Sequence, residues 1–267
     1  MSESFQRVPA FEGVDNFRDY GGYAGAGGAR IRPGRLYRSA HHARATDADL
    51  ARMEGLGVTV WVDLRRASER GRDPCRRHPE YRGDVIENDL GDEGTAPHLA
   101  FLAEADLTEQ SALAFMIGEY ERLPFEARHL DLFRRYFLAL AETDFLERGG
   151  AVLIHCAAGK DRTGLLAALT HHLAGVHPDE AMADYLLTNE ASRIAERAPA
   201  IAAGLQANFG RPFAEAAVRR FMGVEPQYLD TARRVMTEHF GSLDGYLVEA
   251  LGLGDATRER VAAHLLA

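Results

Sequence analysis

Cysteine is scarce in this chain of 267 residues, which has only Cys75 and Cys156. Two thiols far apart in sequence do not describe a disulfide framework, and a reducing compartment suits them. Long apolar runs are missing as well. None approaches the roughly 18 residues that a membrane span requires. The opening MSESFQRVPAFEG lacks a basic head followed by an apolar core, so no secretory leader is read there. The cytoplasm is the expected compartment, with export lacking a cleaved signal as the alternative. Basic charge is in deficit: 31 Lys and Arg stand against 40 Asp and Glu, for a formal net charge of −9. With no Lys/Arg run to offset it, this balance argues against general nucleic-acid affinity. Repeats, linkers and low-complexity tracts are also absent, so residues 1–267 are expected to form one domain. The adjacent pair His41–His42 has no further ligands beside it and reads as surface, not as a metal site.

What is present is concentrated in one stretch, Ala151–Gly164, reading AVLIHCAAGKDRTG. An apolar run delivers His155 and Cys156 to a loop of small residues. Thr163 and Gly164 then open a long apolar helical pattern starting at Leu165. A loop wrapped around a helix start aims several backbone N–H groups at one spot, where the helix dipole adds about half a positive charge. Such a place holds a phosphate. The same field favours thiolate over thiol, making Cys156 a nucleophile at neutral pH. Arg162, permanently charged and fork-shaped, can grip two phosphate oxygens, and Lys160 adds a point charge. The phosphate loop of nucleotide hydrolases does not fit, because Asp161 follows Lys160 where Ser or Thr is required.

These residues resemble the cysteine-dependent protein tyrosine phosphatase superfamily, whose signature is His-Cys, five residues, Arg, then Ser or Thr. The narrower form HCxxGKDRTG is similar to the bacterial tyrosine phosphatases with dual protein and phosphoinositide activity. Asn16 to Gly22, Arg35 to Ser39, Val62 to Arg65 and Asp184 to Asn189 also resemble that family's segments. The resemblance implies an α/β fold, with a mostly parallel central sheet flanked by helices and extra helices at the C-terminus. It also implies two-step hydrolysis of a phosphate monoester through a phosphocysteine on Cys156, without metal or cofactor. The substrates would be phosphotyrosine proteins, with phosphoserine/threonine or phosphoinositides in addition. Arg162 and the loop Ala157, Ala158, Gly159, Lys160 and Thr163 would bind the phosphate. By the superfamily pattern, His155 fixes the loop by hydrogen bonding and the Thr163 hydroxyl donates to the Cys156 sulfur.

Upstream, Val14–Tyr23 and Gly21–Gly28 read as a turn-bounded hairpin. Leu36–Ser39 reads as a short strand, and Thr46 caps a helix Asp47–Glu54. The β-branched run Val58–Leu64 reads as a buried central strand. If that strand lies parallel beside the one ending at Cys156, Asp63 and Arg65 reach the loop, either as chemistry or as a loop-orienting pair. Ala67–Pro79 reads as a helical turn and loop, and Val85–Leu90 as a short strand. Residues 94–125 read as a helical lid or as a packed helical pair, and Leu130–Leu146 as an amphipathic helix. Helices follow at Asp179–Leu187, Glu190–Leu205, Glu215–Met222, Pro226–Phe240 and Leu243–Leu251, with an Ala-rich helix last.

The leaving oxygen needs a proton from a carboxyl within reach. Asp161 is the first choice, Asp89 or Asp92 the second, and Asp63 the third. Two other functions compete: a phosphate-binding module that has lost turnover, and a rhodanese-type sulfurtransferase. The first requires a missing Cys or Arg, and the second gives no reason for Arg162 and Thr163 at this spacing.

Overall fold

The computed structural model describes residues 11–91, 97–104, 106–142 and 150–267. Its strands are β1 (Arg18–Asp19), β2 (Leu36–Ser39), β3 (Val58–Asp63), β4 (Asp84–Ile86) and β5 (Ala151–His155). They form one sheet in the order β1-β2-β5-β3-β4. Only β1 runs antiparallel, against β2. The helices used below are α1 (Asp47–Glu54), α2 (Ala67–Arg72), α3 (Pro97–Glu104), α4 (Glu109–Arg122), α5 (Ala127–Ala141), α6 (Asp161–Leu173), α7 (Pro178–Ala191), α8 (Ile194–Phe209), α9 (Glu215–Met222), α10 (Pro226–Phe240) and α11 (Asp255–Leu265).

A parallel strand covered on both faces has to be apolar throughout, and β5 meets that demand, with Ala151 to Ile154 all buried. Side chains alternate between faces, which divides the core in two. Val60, Val62, Val152 and Ile154 pack under α5 and α6, against Leu132, Phe133, Tyr136, Leu165 and Leu169. Trp61, Ala151 and Leu153 pack on the other face, with Leu50 and Met53 of α1. β5 lies between β2 and β3, and the register places His155 opposite both Ser39 and Asp63. The arrangement is the mostly parallel α/β sheet flanked by helices that the sequence implied.

Thr46 caps α1 through a reciprocal bond with Asp49, and α9 and α10 have the expected bounds. Five expectations change, one of them being that His42, read as surface, is wholly buried. The hairpin over 14–28 does not form: Arg18 and Asp19 pair with Arg38 and Tyr37 of β2, while the glycine-rich run closes on itself through an Ala24–Arg30 bridge. The run Glu190–Leu205 is interrupted, because Arg193 adopts φ 49° and separates α7 from α8. The strand expected over Val85–Leu90 is confined to Asp84–Ile86. Finally, α6 starts at Asp161, a turn before Leu165, which puts Arg162 and Thr163 on its first turn. Among the described residues, no helix is long and apolar enough to cross a membrane.

Candidate active site

Residues Cys156 to Lys160 join β5 to α6 at the carboxyl edge of the parallel strands, where open α/β sheets bind ligands. The loop is shaped from outside. The Ala157 carbonyl accepts the His41 N–H at 3.2 Å. Asn16 Nδ2 donates to the carbonyls of Ala158 and Gly159 at 3.0 and 2.9 Å, and Arg38 Nη2 donates to Gly159 at 3.0 Å. A trans peptide points its N–H away from its C=O. The amides of Ala158, Gly159 and Lys160 therefore point away from these holders, beside the N-terminus of α6, an arrangement with the chemistry of a candidate anion cradle. Gly159 has φ +67°, and a Cβ there would lie 2.3 Å from the Ser39 carbonyl oxygen, so no side chain fits.

A buried cluster holds the holders. Asp184 of α7 accepts Arg18 Nε at 3.2 Å and Arg38 Nη1 at 2.8 Å, and Arg18 also bonds Asn16 and Thr188. Burial alone would push the Asp184 carboxyl up, but Arg18 and Arg38 hold it well below the usual range. The charges are compensated in place, as buried charges must be.

Cys156 is almost completely buried and shares a cavity of about 300 Å³ with Asp161 and Arg162. Glu69 of α2 accepts both terminal nitrogens of Arg162, at 2.6 and 2.9 Å. Against the cost of burial, that pairing draws Glu69 down to about 2. One guanidinium nitrogen also donates to the Leu64 carbonyl at 3.2 Å.

Asp63 lies beside His155, as the parallel register requires, and Arg65 lines the cavity. Arg65 Nη2 donates to Asp63 Oδ2 at 2.7 Å and to Cys75 Sγ at 3.1 Å. Asp63, Cys75 and His155 offer atoms within 4.8 Å of one another, but Arg65 already places a positive charge against two of them. His155 Nε2 lies 3.6 Å from Asp63 Oδ2, and its ring stacks on His42 at 5.0 Å and meets the edge of Trp61. Burial pushes His155 down to about 4, outweighing the attraction of Asp63, so the imidazole is neutral. The backbone of Cys156 lies close enough to act on the His155 ring as a hydrogen-bond partner, while neither ring nitrogen makes a hydrogen bond of full geometry among the described residues. The Thr163 hydroxyl, expected on the Cys156 sulfur, is likewise buried without a hydrogen bond among the described residues.

The sequence model of the tyrosine phosphatase family matches residues 9–267. The chain belongs to that family. The triple specificity protein phosphatase PtpB of Mycobacterium tuberculosis is 33% identical over 97% of this chain and 99% of its own length. A Cupriavidus necator protein provisionally named a tyrosine-protein phosphatase is 35% identical over 91% of this chain and 83% of its own. Among solved structures, TpbA of P. aeruginosa aligns with 71% of this chain and 98% of its own at 18% identity and a TM-score of 0.30, a loose match. The protein is a tyrosine-phosphatase-like enzyme, and its substrates are phosphorylated.

The cavity sorts the carboxyl groups considered as acids. Asp161 lines it. Asp63 is buried behind the loop on Arg65. Asp89 pairs with Arg70, its side chain 76% exposed, and is not among the lining residues. Asp92 lies outside the described residues, as do 94–96 and 105 of the segment 94–125. The rest of that segment supplies cavity wall: His98 of α3 and Phe115, Met116 and Glu119 of α4. Phe101, Phe115 and Phe221 pack ring to ring beside it. Lys160 lines the cavity as well, its ammonium donating to the carbonyls of Phe221 and Gly223 at 2.6 and 3.1 Å.

Sequence reasoning missed four parts of this site: the hold of Glu69 on Arg162, Asn16 and Arg38 on the loop carbonyls, Asp184 behind them, and Glu119 in the wall. Glu119 is pushed up by burial, with Asp161 and Glu126 adding to the effect against Arg122. The family-like segments around Asn16, Arg38 and Asp184 were the signal available. They marked these residues without showing their roles.

Proposed function

We propose that the enzyme hydrolyses phosphotyrosine esters through a phosphocysteine on Cys156. The observation that carries this reading is the convergence of Cys156, Arg162 and the inward-facing loop amides on one cavity. The Cys156 thiolate attacks phosphorus and the ester P–O bond breaks. Arg162 and the amides hold the equatorial oxygens where charge gathers. Asp161 gives its proton to the leaving oxygen. Water then attacks the phosphocysteine and gives a proton to Asp161, releasing inorganic phosphate and restoring the thiolate. His155, Asp63 and Arg65 support the loop from behind. The partly apolar wall formed by α3 and α4 supports reading 94–125 as packed cavity wall that flanks an aromatic ring.

A second substrate class follows from the charge of the same cavity. Arg66, Arg72 and Arg128 line it beyond Arg162, paired with Glu126 or Asp73, and esters with more than one phosphate would compete with those carboxylates for them. The name of the M. tuberculosis relative also supports a range wider than tyrosine. The test is an aryl phosphate assay in chelator, followed by a panel of phosphotyrosine, phosphoserine and phosphothreonine peptides and phosphoinositides. Release that survives chelation and disappears in Cys156→Ser is expected. Full activity in Cys156→Ser sinks the mechanism, and formation of thiocyanate and sulfite from thiosulfate and added cyanide would favour sulfur transfer. In Asp161→Asn, Asp89→Asn and Glu119→Gln, the variant whose rate becomes steeply dependent on the leaving group identifies the acid.

A further inference from the structure

Two phenols outside the loop run a hydrogen-bond chain to Asp161. Tyr120, from α4, is fully buried, and Tyr185, from α7, is nearly so. The Tyr120 hydroxyl donates to Asp161 Oδ1 at 2.9 Å, and the two hydroxyls lie 2.7 Å apart. The direction of the chain follows from valence. A phenol has one proton to give, so once Tyr120 gives it to the carboxylate, its oxygen accepts from Tyr185. Lys160 Nζ also approaches Oδ1, at 3.7 Å. No corresponding contact engages Oδ2 among the described residues.

The surroundings are built to keep this chain. Gly164 leaves room for it, since a Cβ there would lie 2.9 Å from the Tyr185 ring. Burial pushes both phenols well above their ordinary range, with Asp161 adding to the effect, so they remain neutral donors.

We propose that Tyr120, supported by Tyr185, is the positioning residue for Asp161: it occupies Oδ1 and turns Oδ2, the oxygen that carries the transferable proton, toward the cavity. This rests on reading Asp161 as the acid. An unpinned carboxyl would rotate, and transfer to a poor leaving group would suffer most. Phosphate binding would not, because the loop amides and Arg162 remain in place. The chain ties α4, which packs mainly on α9 and α10, to the first residue of α6.

The experiment measures kcat and KM for a series of aryl phosphates of rising leaving-group pKa, with orthovanadate inhibition as the check on the cradle. In Tyr120→Phe, kcat for the poorest leaving groups is expected to fall about tenfold, a part of the 10²–10⁴ that a placed acid contributes. KM and orthovanadate inhibition should stay within about twofold. The double variant Tyr120→Phe/Asp161→Asn should be no slower than Asp161→Asn, since the two act as one unit. A parental leaving-group slope in Tyr120→Phe, or a defect that adds fully to that of Asp161→Asn, overturns the proposal. If Tyr120→Phe loses orthovanadate inhibition, Tyr185→Phe decides: a smaller steepening supports the chain and a parental slope overturns it. A parental slope in Asp161→Asn itself would instead remove the reading of Asp161 as the acid.

Discussion

Glu69 and Arg162 meet as two parallel hydrogen bonds, 2.6 and 2.9 Å long, inside the cavity that Cys156 lines. The carboxylate fixes the plane and direction of the guanidinium before any phosphate arrives. Glu69→Gln keeps the shape but halves the pairing. It is expected to lower kcat/KM for aryl phosphates by roughly tenfold to a hundredfold through misplacement of Arg162. Steady-state kinetics checks this, and a parental value would show that Arg162 needs no holder.

The same pair sets a pH dependence of stability. The folded-state Glu69 sits near 2, against an ordinary 4.5. Its contribution is complete above 4.5 and is lost as pH falls toward 2, because the unfolded chain takes up the proton first. Denaturant unfolding between these limits should cost the parent up to about 3 kcal/mol more than Glu69→Gln. Equal losses would mean that the bond contributes nothing to folding.

Asp184→Asn leaves Arg18 and Arg38 buried with their shared counter-charge removed. Breaking a buried ion pair on one side costs about 3–5 kcal/mol, so a large fall in melting temperature is expected by calorimetry. Activity should fall in the folded fraction too, because Arg38 and Asn16 position the loop carbonyls. A change below about 1 kcal/mol, the scale of a surface pair, would contradict this account.

Gly159→Ala combines a left-handed backbone with a Cβ driven into the Ser39 carbonyl. The loop must open, and the amide cradle opens with it. Strain of about 1–3 kcal/mol is expected in denaturant unfolding. Loss of phosphate inhibition should exceed the stability loss in proportion. Unchanged competitive inhibition by inorganic phosphate would show that the cradle does not depend on this turn.

The strand–loop–helix geometry of the candidate site was legible because its parts are contiguous: strand, small residues, Arg and helix start all lie within Ala151–Gly164. Its support was not, because Glu69 stands 93 positions from Arg162 and Asp184 stands 166 from Arg18. No periodicity links residues that meet only after the sheet has formed. α6 was expected at Leu165 because apolar spacing begins there, whereas its first turn is polar and faces the cavity. β1 escaped for a similar reason: two residues are too few for an alternating pattern. The break at Arg193 has no glycine or proline to announce it. Asp161 could be chosen from its place in the loop, but the hydroxyl of Tyr120 that pins it belongs to another helix.

Trp61 is the only tryptophan in the chain, and its ring lies 6.0 Å from that of His155 and 4.6 Å from that of His42, with the Arg77 guanidinium over its face. The enzyme therefore contains a single indole emitter directly beneath its catalytic loop. Its fluorescence reads the end of the sheet that carries Cys156 without any attached dye. Burial holds both neighbouring imidazoles below their ordinary range, His155 at about 4 and His42 well down, so a charge arises beside that emitter only in acid. Intrinsic emission followed through acid thus reports on the strand ends beside the proposed active site.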